Sequence, residues 1–263
     1  MIASFFQNLD RRAVDYLLIS GQATVLYGAA TFSEDIDLWI DPTPENRERF
    51  IAALRDCRAR YYKLTPPFTA ENLHRGHGFH FLLGRSGDDE VFLDVMAVPP
   101  RVGSFADRQK SARWMDTEWG PVHTIGLKAL VELKKTQRLE DYPIISRLAL
   151  AWLDQPECLR AAPDFNWTVQ NIFTLPELGM LFQENPGALE LVSGALPPPF
   201  AQFAEQSRAG ETISENTAQE VSFALQQRIA ALQQKDRVYW REIIADLKRL
   251  RAEDKLAVEG AEV

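Results

Sequence analysis

Two aspartates interrupt an otherwise apolar segment early in the chain. Asp35 and Asp37 alternate with Ile36 and Leu38 in the run SEDIDLWID. In a strand, side chains two residues apart project from the same face about 7 Å apart, so the two carboxylates would share one surface. Like charges this close repel unless something positive lies between them, and Mg²⁺ is a divalent cation that prefers oxygen ligands. The pattern therefore predicts a magnesium site.

Two other features suggest phosphate chemistry near these carboxylates. Ser20 and Gly21 follow the apolar run YLLI and open a helix, where free backbone N–H groups and the helix dipole can hold a phosphate. Asp94 lies in a separate apolar run, VFLDVM, where an ionised group needs a partner. We expect Asp94 to complete the metal site or to take a proton from an attacking hydroxyl. A phosphate cradle beside paired carboxylates is a layout for phosphoryl transfer.

Hydrophobic periodicity predicts the elements that position these residues. Residues 5–19 show helical spacing that gives way to a short strand, and a further strand carries Asp35 and Asp37. Residues 44–61 have the pattern of an amphipathic helix that covers a sheet. The runs FHFLL and EVFLDVMAV flank the turn-rich GRSGDD. This arrangement predicts a hairpin with Asp94 in its second strand.

The second half of the chain has a helical pattern. Residues 124–153 show two helical segments separated by a polar corner, and prolines punctuate the chain beyond residue 150. The run from AQEVSF to RLRAED predicts one long amphipathic helix. The predicted fold class is therefore α/β (α+β), with a short mixed β-sheet core and flanking helices in residues 1–150. A C-terminal α-helical region would follow in residues 151–263.

Composition narrows the classes of function. With 29 Lys and Arg against 37 Asp and Glu, the formal charge of −8 disfavours a broad electrostatic footprint on duplex nucleic acid. The two cysteines, Cys57 and Cys158, form no CxxC motif, so neither a disulfide framework nor a structural zinc site is indicated. The N-terminus lacks the pattern of a signal peptide, and no run is long enough for a membrane span. We expect a cytoplasmic protein with no membrane partner.

These motifs resemble the signature of the DNA polymerase β-like nucleotidyltransferase superfamily. That signature is a Gly-Gly or Gly-Ser turn, an Asp-hydrophobic-Asp roughly ten residues later, and a third Asp on a later strand. Ser20-Gly21, Asp35-Ile36-Asp37 and Asp94 fill those places here. The resemblance covers about residues 14 to 150.

Small bacterial members related to abortive-infection toxins are a closer likeness. They share a Gly-x-Ala helix, a Gly about seven residues later, and a helix carrying Lys that precedes Arg-x-Lys-Asp. In this chain the corresponding residues are Gly21-Gln22-Ala23, Gly28, Lys134 and Arg138-Leu139-Glu140-Asp141. This branch implies a toxin–antitoxin setting.

The resemblance implies a metal-dependent nucleotidyltransferase with an NTP substrate and two Mg²⁺ ions. The implied metal ligands and catalytic residues are Asp35, Asp37 and Asp94, the last of which would also act as base toward the acceptor hydroxyl. The implied contacts to the nucleotide phosphates are Ser20, Gly21, Lys134 and Lys128.

Several alternatives stay open at this point. The acceptor would be a tRNA end or a partner protein, or else a small molecule of the aminoglycoside type. Ser20 stands where the family has Gly, and Thr31 stands where relatives often have Arg, which leaves room for a catalytically silent nucleotide-binding or partner-binding protein. A third reading takes the carboxylates as incidental surface groups. The C-terminal helix is a candidate component of a helical bundle, a candidate seam for a homodimer or a candidate platform for the acceptor.

The segment NLHRGHGFHFLL offers a further alternative. Its histidines, His74, His77 and His80, could bind a metal, but a loop running into a strand does not form a fixed triad and no cysteine joins them. His74, Arg75 and His77 could instead contact a nucleotide base or phosphate from a loop above the site.

Overall fold

The computed structural model describes residues 1–84, 90–192, 194 and 196–263. Within these residues, seven strands form one mixed sheet in the order β3-β4-β5-β2-β1-β7-β6. The strands are β1 (Tyr16–Ile19), β2 (Ile36–Ile40), β3 (Arg60–Tyr61), β4 (Phe79–Leu83), β5 (Val91–Met96), β6 (Arg113–Thr117) and β7 (Gly120–Thr124).

Helices lie between the strands in the first half of the chain and make up most of the second half. Those before the last strand are α1 (Ile2–Arg11), α2 (Ser20–Leu26), α3 (Pro44–Asp56), α4 (Ala70–His74) and α5 (Phe105–Gln109). Those after it are α6 (Leu127–Lys134), α7 (Asp141–Ala151), α8 (Ala162–Gln170), α9 (Leu175–Glu184), α10 (Ala188–Val192), α11 (Pro198–Ala209) and α12 (Glu215–Ala252). The mixed α/β class with a C-terminal helical region is confirmed.

The chain forms two compact units. The first unit contains residues 1–26, 30–133 and 238–263, and the second contains residues 27–29 and 134–237. The whole sheet therefore belongs to the first unit, together with the last part of α12. The boundary predicted at residue 150 does not coincide with this division and stays a prediction.

Strand alternation gives the sheet of the first unit one fully buried face. In β4, β5 and β2, every second side chain is apolar and inaccessible to solvent. The residues of this face are Phe79, Phe81, Leu93, Val95, Ile36 and Leu38. The residues between them point to the opposite face, which leaves that face available for polar side chains.

Residues near the C-terminal end of the sequence join the edge of this sheet. The amide of Tyr61 donates to the carbonyl of Ala261, and the amide of Gly260 donates back to the carbonyl of Tyr61. The amide of Val263 donates to the carbonyl of Ala59. Residues 257–263 therefore cover β3 and provide part of the first unit's hydrogen bonding.

Most of the predicted elements are confirmed. The helix-to-strand passage is α1 and β1, the amphipathic helix is α3, and the long C-terminal helix is α12. The predicted hairpin is the antiparallel pair β4 and β5, although residues 85–89 of its turn lie outside the described residues.

Three details of the sheet differ from the prediction. The amphipathic helix predicted over residues 44–61 ends at Asp56 as α3, and Arg60–Tyr61 form β3 instead. Asp35 does not lie in a strand, because β2 begins at Ile36. The edge hairpin formed by β6 and β7 was not predicted. No helix among the described residues combines the length and the apolar character needed to cross a membrane.

Candidate active site

The polar face of the sheet brings two of the predicted carboxylates side by side. β2 and β5 are parallel neighbours, and Asp37 is the register partner of Asp94. Register partners project from the same face of a sheet, and adjacent strands are about 4.8 Å apart. Two residues that are 57 positions apart in sequence therefore present their carboxylates to one small area.

Asp35 lies close enough to this pair to be affected by its charge. Partial burial raises the pKa of the Asp35 carboxyl above its usual value, and the negative charge of Asp94 raises it further. The nearby ammonium of Lys63 opposes the rise. The loop before β2 thus places a third carboxyl within the electrostatic influence of Asp94.

A histidine on the neighbouring strand β4 contacts Asp94. His80 in β4 is the register partner of Asp94, and its Nδ1 donates to Oδ1 of Asp94 at 2.7 Å. Both side chains are partly exposed, at 28% and 32%. The hydrogen bond fixes the orientation of one Asp94 oxygen and leaves the site open to solvent.

The carboxylates suit an open magnesium site better than a closed one. In the described parts of the chain, no group of three or more His, Cys, Asp and Glu side chains is placed so that it could hold a metal ion. Mg²⁺ usually keeps several waters and binds through one or two carboxylates together with substrate phosphates. Asp37 and Asp94, with Asp35 beside them, fit that mode of binding, in which the nucleotide supplies the remaining oxygens.

The turn after β1 has an unusual backbone. Ser20 has a φ of +57°, which costs a residue with a side chain roughly 1–2 kcal/mol. A Cβ on Gly21 would lie 2.1 Å from Oγ of Ser33, so a side chain there would require Ser33 to move. The side-chain Nε2 of Gln22 donates to the carbonyl of Ser33. Ser20 and Gly21 are thus packed against the loop that leads to Asp35, and their contact with phosphate stays a prediction.

A cavity of about 280 Å³ lies beside the carboxylate pair. Its polar lining includes Asp37, Asp94, His77 and His80. The remaining wall is apolar and comes from two sources, the sheet and the C-terminal part of α12. The apolar lining consists of Leu64, Gly78, Val95, Met96, Trp240, Ile243, Ile244 and Leu247.

A partly exposed charge cluster, in which only His77 is buried, holds this part of α12 in place. Asp246 accepts hydrogen bonds from Nε2 of His77 at 2.9 Å and from Nη1 of Arg75 at 3.0 Å, and it also pairs with Arg249 on its own helix. The His77 side chain is only 2% exposed. These donors favour the ionised form and hold the pKa of Asp246 well below its usual value.

The backbone at Gly76 also lies very close to α12. Gly76 has a φ of +79°, and a Cβ there would lie 3.1 Å from the hydroxyl of Tyr239 and 3.3 Å from the carbonyl of Val98. The Tyr239 hydroxyl donates to that carbonyl at 3.0 Å. The HRGH segment therefore needs its glycine so that α12 can approach the sheet.

The three histidines have separate partners. His74 contacts the carbonyl of Ala70 at 2.7 Å, whereas His77 binds Asp246 and His80 binds Asp94. The structure therefore uses His77 to hold a helix and His80 to orient a carboxylate.

The two lysines predicted to contact phosphate have different settings. Lys128 belongs to α6 in the first unit. Lys134 belongs to the second unit and is only 7% exposed. Its Nζ lies 3.3 Å from Oδ1 of Asp141. The other oxygen of Asp141, Oδ2, accepts from Oγ1 of Thr136 and from Nε of Arg138. The Lys-to-Asp motif thus forms a buried ion pair in the second unit, and a phosphate contact for either lysine stays a prediction.

Sequence reasoning did not assign α12 to the site. The apolar stripe formed by Trp240, Ile243, Ile244 and Leu247 has helical spacing, and such a stripe predicts packing without naming a partner. The acidic residue within it, Asp246, was the available signal, because a carboxylate beside an apolar stripe needs a cationic or hydrogen-bonding partner.

Comparisons with known proteins place few constraints on the chain. No protein-family model matches the sequence, and no curated protein matches it. Among solved structures, the chain is similar to the solution structure of the antibiotic-resistance factor ANT(2'')-Ia. The identity is 13%, the match covers 88% of this chain and 92% of that one, and the TM-score is 0.34.

A crystal structure of ANT(2'')-Ia in complex with adenylyl-2''-tobramycin gives a similar result. The identity is 12%, the coverage is 86% of this chain and 94% of that one, and the TM-score is 0.33. Scores this low carry neither the fold nor the function of ANT(2'')-Ia over to this chain. The resemblance to the toxin-type branch also stays a prediction.

Proposed function

We propose that this protein is a metal-dependent nucleotidyltransferase that moves a nucleoside monophosphate from an NTP to a hydroxyl acceptor. The observation that carries the proposal is the register pairing of Asp37 with Asp94 on adjacent parallel strands, with Asp35 electrostatically coupled to Asp94. Carboxylates held this close need positive charge between them. An NTP with its magnesium ions supplies that charge and completes an open set of oxygen ligands.

Each residue of the site has a role in this reaction. Asp35, Asp37 and Asp94 would hold two Mg²⁺ ions, which supply charge stabilisation to the entering and leaving oxygens when bound. Asp94 accepts the proton of the acceptor hydroxyl as the new bond to the α-phosphorus forms and the bond to pyrophosphate breaks. Ser20 and Gly21, at the end of β1, are proposed to face the triphosphate. His80 keeps one oxygen of Asp94 oriented and is a positioning residue.

A nucleotide-binding protein without turnover is the second candidate. The observation that favours it is the 2.7 Å hydrogen bond from His80 to Asp94, which occupies an oxygen that the enzyme needs for metal or proton. This candidate shares the carboxylate pair and the nucleotide with the first. The two differ only in whether pyrophosphate is released.

Nucleotide binding can be tested by thermal denaturation with each of the four NTPs, with and without Mg²⁺. A ligand at about 100 times its Kd stabilises the folded state by roughly 2.7 kcal/mol, which corresponds to a rise in Tm of roughly 5 to 10 °C for a chain of this size. We expect this rise for at least one NTP in the presence of Mg²⁺. Asp37→Asn and Asp94→Asn should abolish it, because each removes one half of the carboxylate pair.

A matched control separates this effect from a general loss of surface charge. Asp116 is an exposed strand aspartate in β6, at the opposite edge of the same sheet. Asp116→Asn should keep the full response to Mg²⁺ and NTP. Pyrophosphate release in the wild type, absent in Asp94→Asn, would identify the enzyme, whereas stabilisation without release would identify the silent binder. If no combination of NTP and Mg²⁺ changes the Tm, the protein is neither this enzyme nor a silent nucleotide binder.

A further inference from the structure

The cavity beside Asp94 points to a specific class of acceptor. We propose that it binds a neutral aromatic ring of the acceptor. This ring would lie close to the acceptor hydroxyl that receives the nucleoside monophosphate. The acceptor would then be a small aromatic alcohol, or a larger molecule that presents one. This inference rests on the proposed function for the role of the hydroxyl, whereas the ring site itself rests on the cavity.

The position of the cavity favours the acceptor over the leaving group. β2 lies between β1 and β5, and β4 lies beyond β5. Displacement at phosphorus needs the entering and leaving oxygens on opposite sides of the phosphorus. With the triphosphate toward the end of β1, as proposed above, the attacking hydroxyl approaches from the side of β5 and β4. The cavity lies on that side, since Asp94 and His80 line it.

The lining of the cavity favours a neutral occupant. None of the residues that line it in the described part of the chain is Lys or Arg, so a triphosphate would find no cation there. Among the described residues, the carboxylates in the lining are Asp37 and Asp94, and the proposed reaction already uses both for metal ions. A polycationic sugar would therefore lack the carboxylates that it needs as partners.

The shape and composition of the wall favour a ring. Trp240 contributes an aromatic side chain to the wall, Met96 adds a flexible apolar side chain, and Ile243 adds a stiffer one. A cavity of about 280 Å³ lies just below the range for small-molecule sites, which runs from roughly 300 to 1,000 Å³. It has room for one ring with a short side chain and is too small for a polysaccharide or for several nucleotides.

The helix that supplies Trp240 is firmly positioned. Asp246 lies six residues further along α12 and binds His77, whose imidazole also lines the cavity. Ile243 lies between them and also lines it. The wall is therefore held by a buried hydrogen bond and does not depend on apolar contact alone.

Binding of the ring can be measured without nucleotide or metal. The probe is 2-phenylethanol, followed by saturation-transfer NMR and by the indole N–H shift of Trp240. Trp240→Ala should weaken binding by about tenfold, the equivalent of 1.4 kcal/mol, and Trp240→Phe should restore most of it. Trp114→Ala is the matched control, because Trp114 lies on the edge strand β6 and is 59% exposed. It should leave the affinity unchanged.

A second variant guards against loss of folding in Trp240→Ala. Ile244 is 44% exposed and lines the cavity, so Ile244→Lys should fold while placing a cation beside the ring site. It should weaken 2-phenylethanol to a similar degree. An equal affinity for 2-phenylethanol in the wild type, Trp240→Ala and Ile244→Lys would overturn the inference.

Two further arms separate the sources of a ring and the two proposals. If adenosine shifts the indole N–H signal of Trp240 and 2-phenylethanol does not bind, the cavity belongs to the nucleobase. That result would overturn the acceptor assignment. With Mg²⁺ and NTP added, transfer to tobramycin but not to 2-phenylethanol would overturn the inference and support the proposed function. Binding of 2-phenylethanol through Trp240 without any transfer would overturn the proposed function alone and leave the ring site in place.

Discussion

Replacement of Asp246 by alanine should destabilise the first unit by several kcal/mol. The variant leaves Nε2 of His77 without its acceptor in a side chain that is 2% exposed, and an unsatisfied buried donor costs about 1–3 kcal/mol. It also removes the partner of Arg75 and Arg249, which are 43% and 50% exposed, so each of those pairs adds only about 0–1 kcal/mol. The sum is roughly 1–5 kcal/mol, or a fall in Tm of roughly 2 to 20 °C.

The effect of this substitution should depend on pH in a defined direction. Hydrogen bonds from Arg249, His77 and Arg75 lower the pKa of Asp246 in the folded protein, relative to about 3.9 in the unfolded chain. A carboxyl with a lowered folded pKa contributes stability that is fully present above the unfolded pKa and is lost as the pH falls through the folded pKa. The difference in Tm between wild type and Asp246→Ala should therefore be large at neutral pH and shrink below about pH 4.

Thermal and urea denaturation from neutral pH down to about pH 3 would measure both effects. Glu242→Ala is the matched control, because Glu242 is an exposed carboxylate one turn earlier on α12, and such surface changes usually stay within about 0.5 kcal/mol. Asp246→Asn keeps an acceptor oxygen and should lose less than Asp246→Ala. If Asp246→Ala costs no more than Glu242→Ala at neutral pH, the charge cluster does not hold the helix.

Three further substitutions test the site's surroundings by denaturation. Ser20→Gly should raise stability by up to about 1 kcal/mol, because glycine adopts the positive φ of this position without strain. Gly21→Ala should cost about 1–3 kcal/mol through its clash with Ser33, and adding Ser33→Gly should recover most of the loss. Trp39→Phe should cost about 2 kcal/mol, because the indole of this fully buried residue donates to the carbonyl of Ala97. For each of these three variants, a urea midpoint equal to that of the wild type would contradict the expected change in stability.

The carboxylate pair was predictable because its signals are local. Alternation around Asp37 and around Asp94 marks each as a polar residue in a strand, and the resemblance to a family connected them. Their register pairing needed the structure, since the intervening sequence does not say which strands become neighbours. The same limit applies to His80, whose contact with Asp94 follows from the pairing of β4 with β5.

The role of α12 could not be read from the sequence for a different reason. Trp240 and Asp246 are more than 140 residues beyond Asp94, and an apolar stripe on a helix does not indicate which surface it will pack against. The edge hairpin of β6 and β7 was missed because its strand Arg113–Thr117 alternates only weakly and carries the exposed Trp114. Edge strands lack the burial that makes the pattern clear.

The pairing of residues 257–263 with β3 has a consequence for biosynthesis. The edge of the sheet at residues 60–61 is hydrogen-bonded only after residue 260 has emerged, about 200 residues of translation later. At synthesis rates of roughly 5 to 20 residues per second, that interval is roughly 10 to 40 s. During it, the nascent sheet presents an open edge, a recognised template for misassembly with other chains. The nascent first unit should therefore be a client of chaperones on the ribosome until this segment arrives.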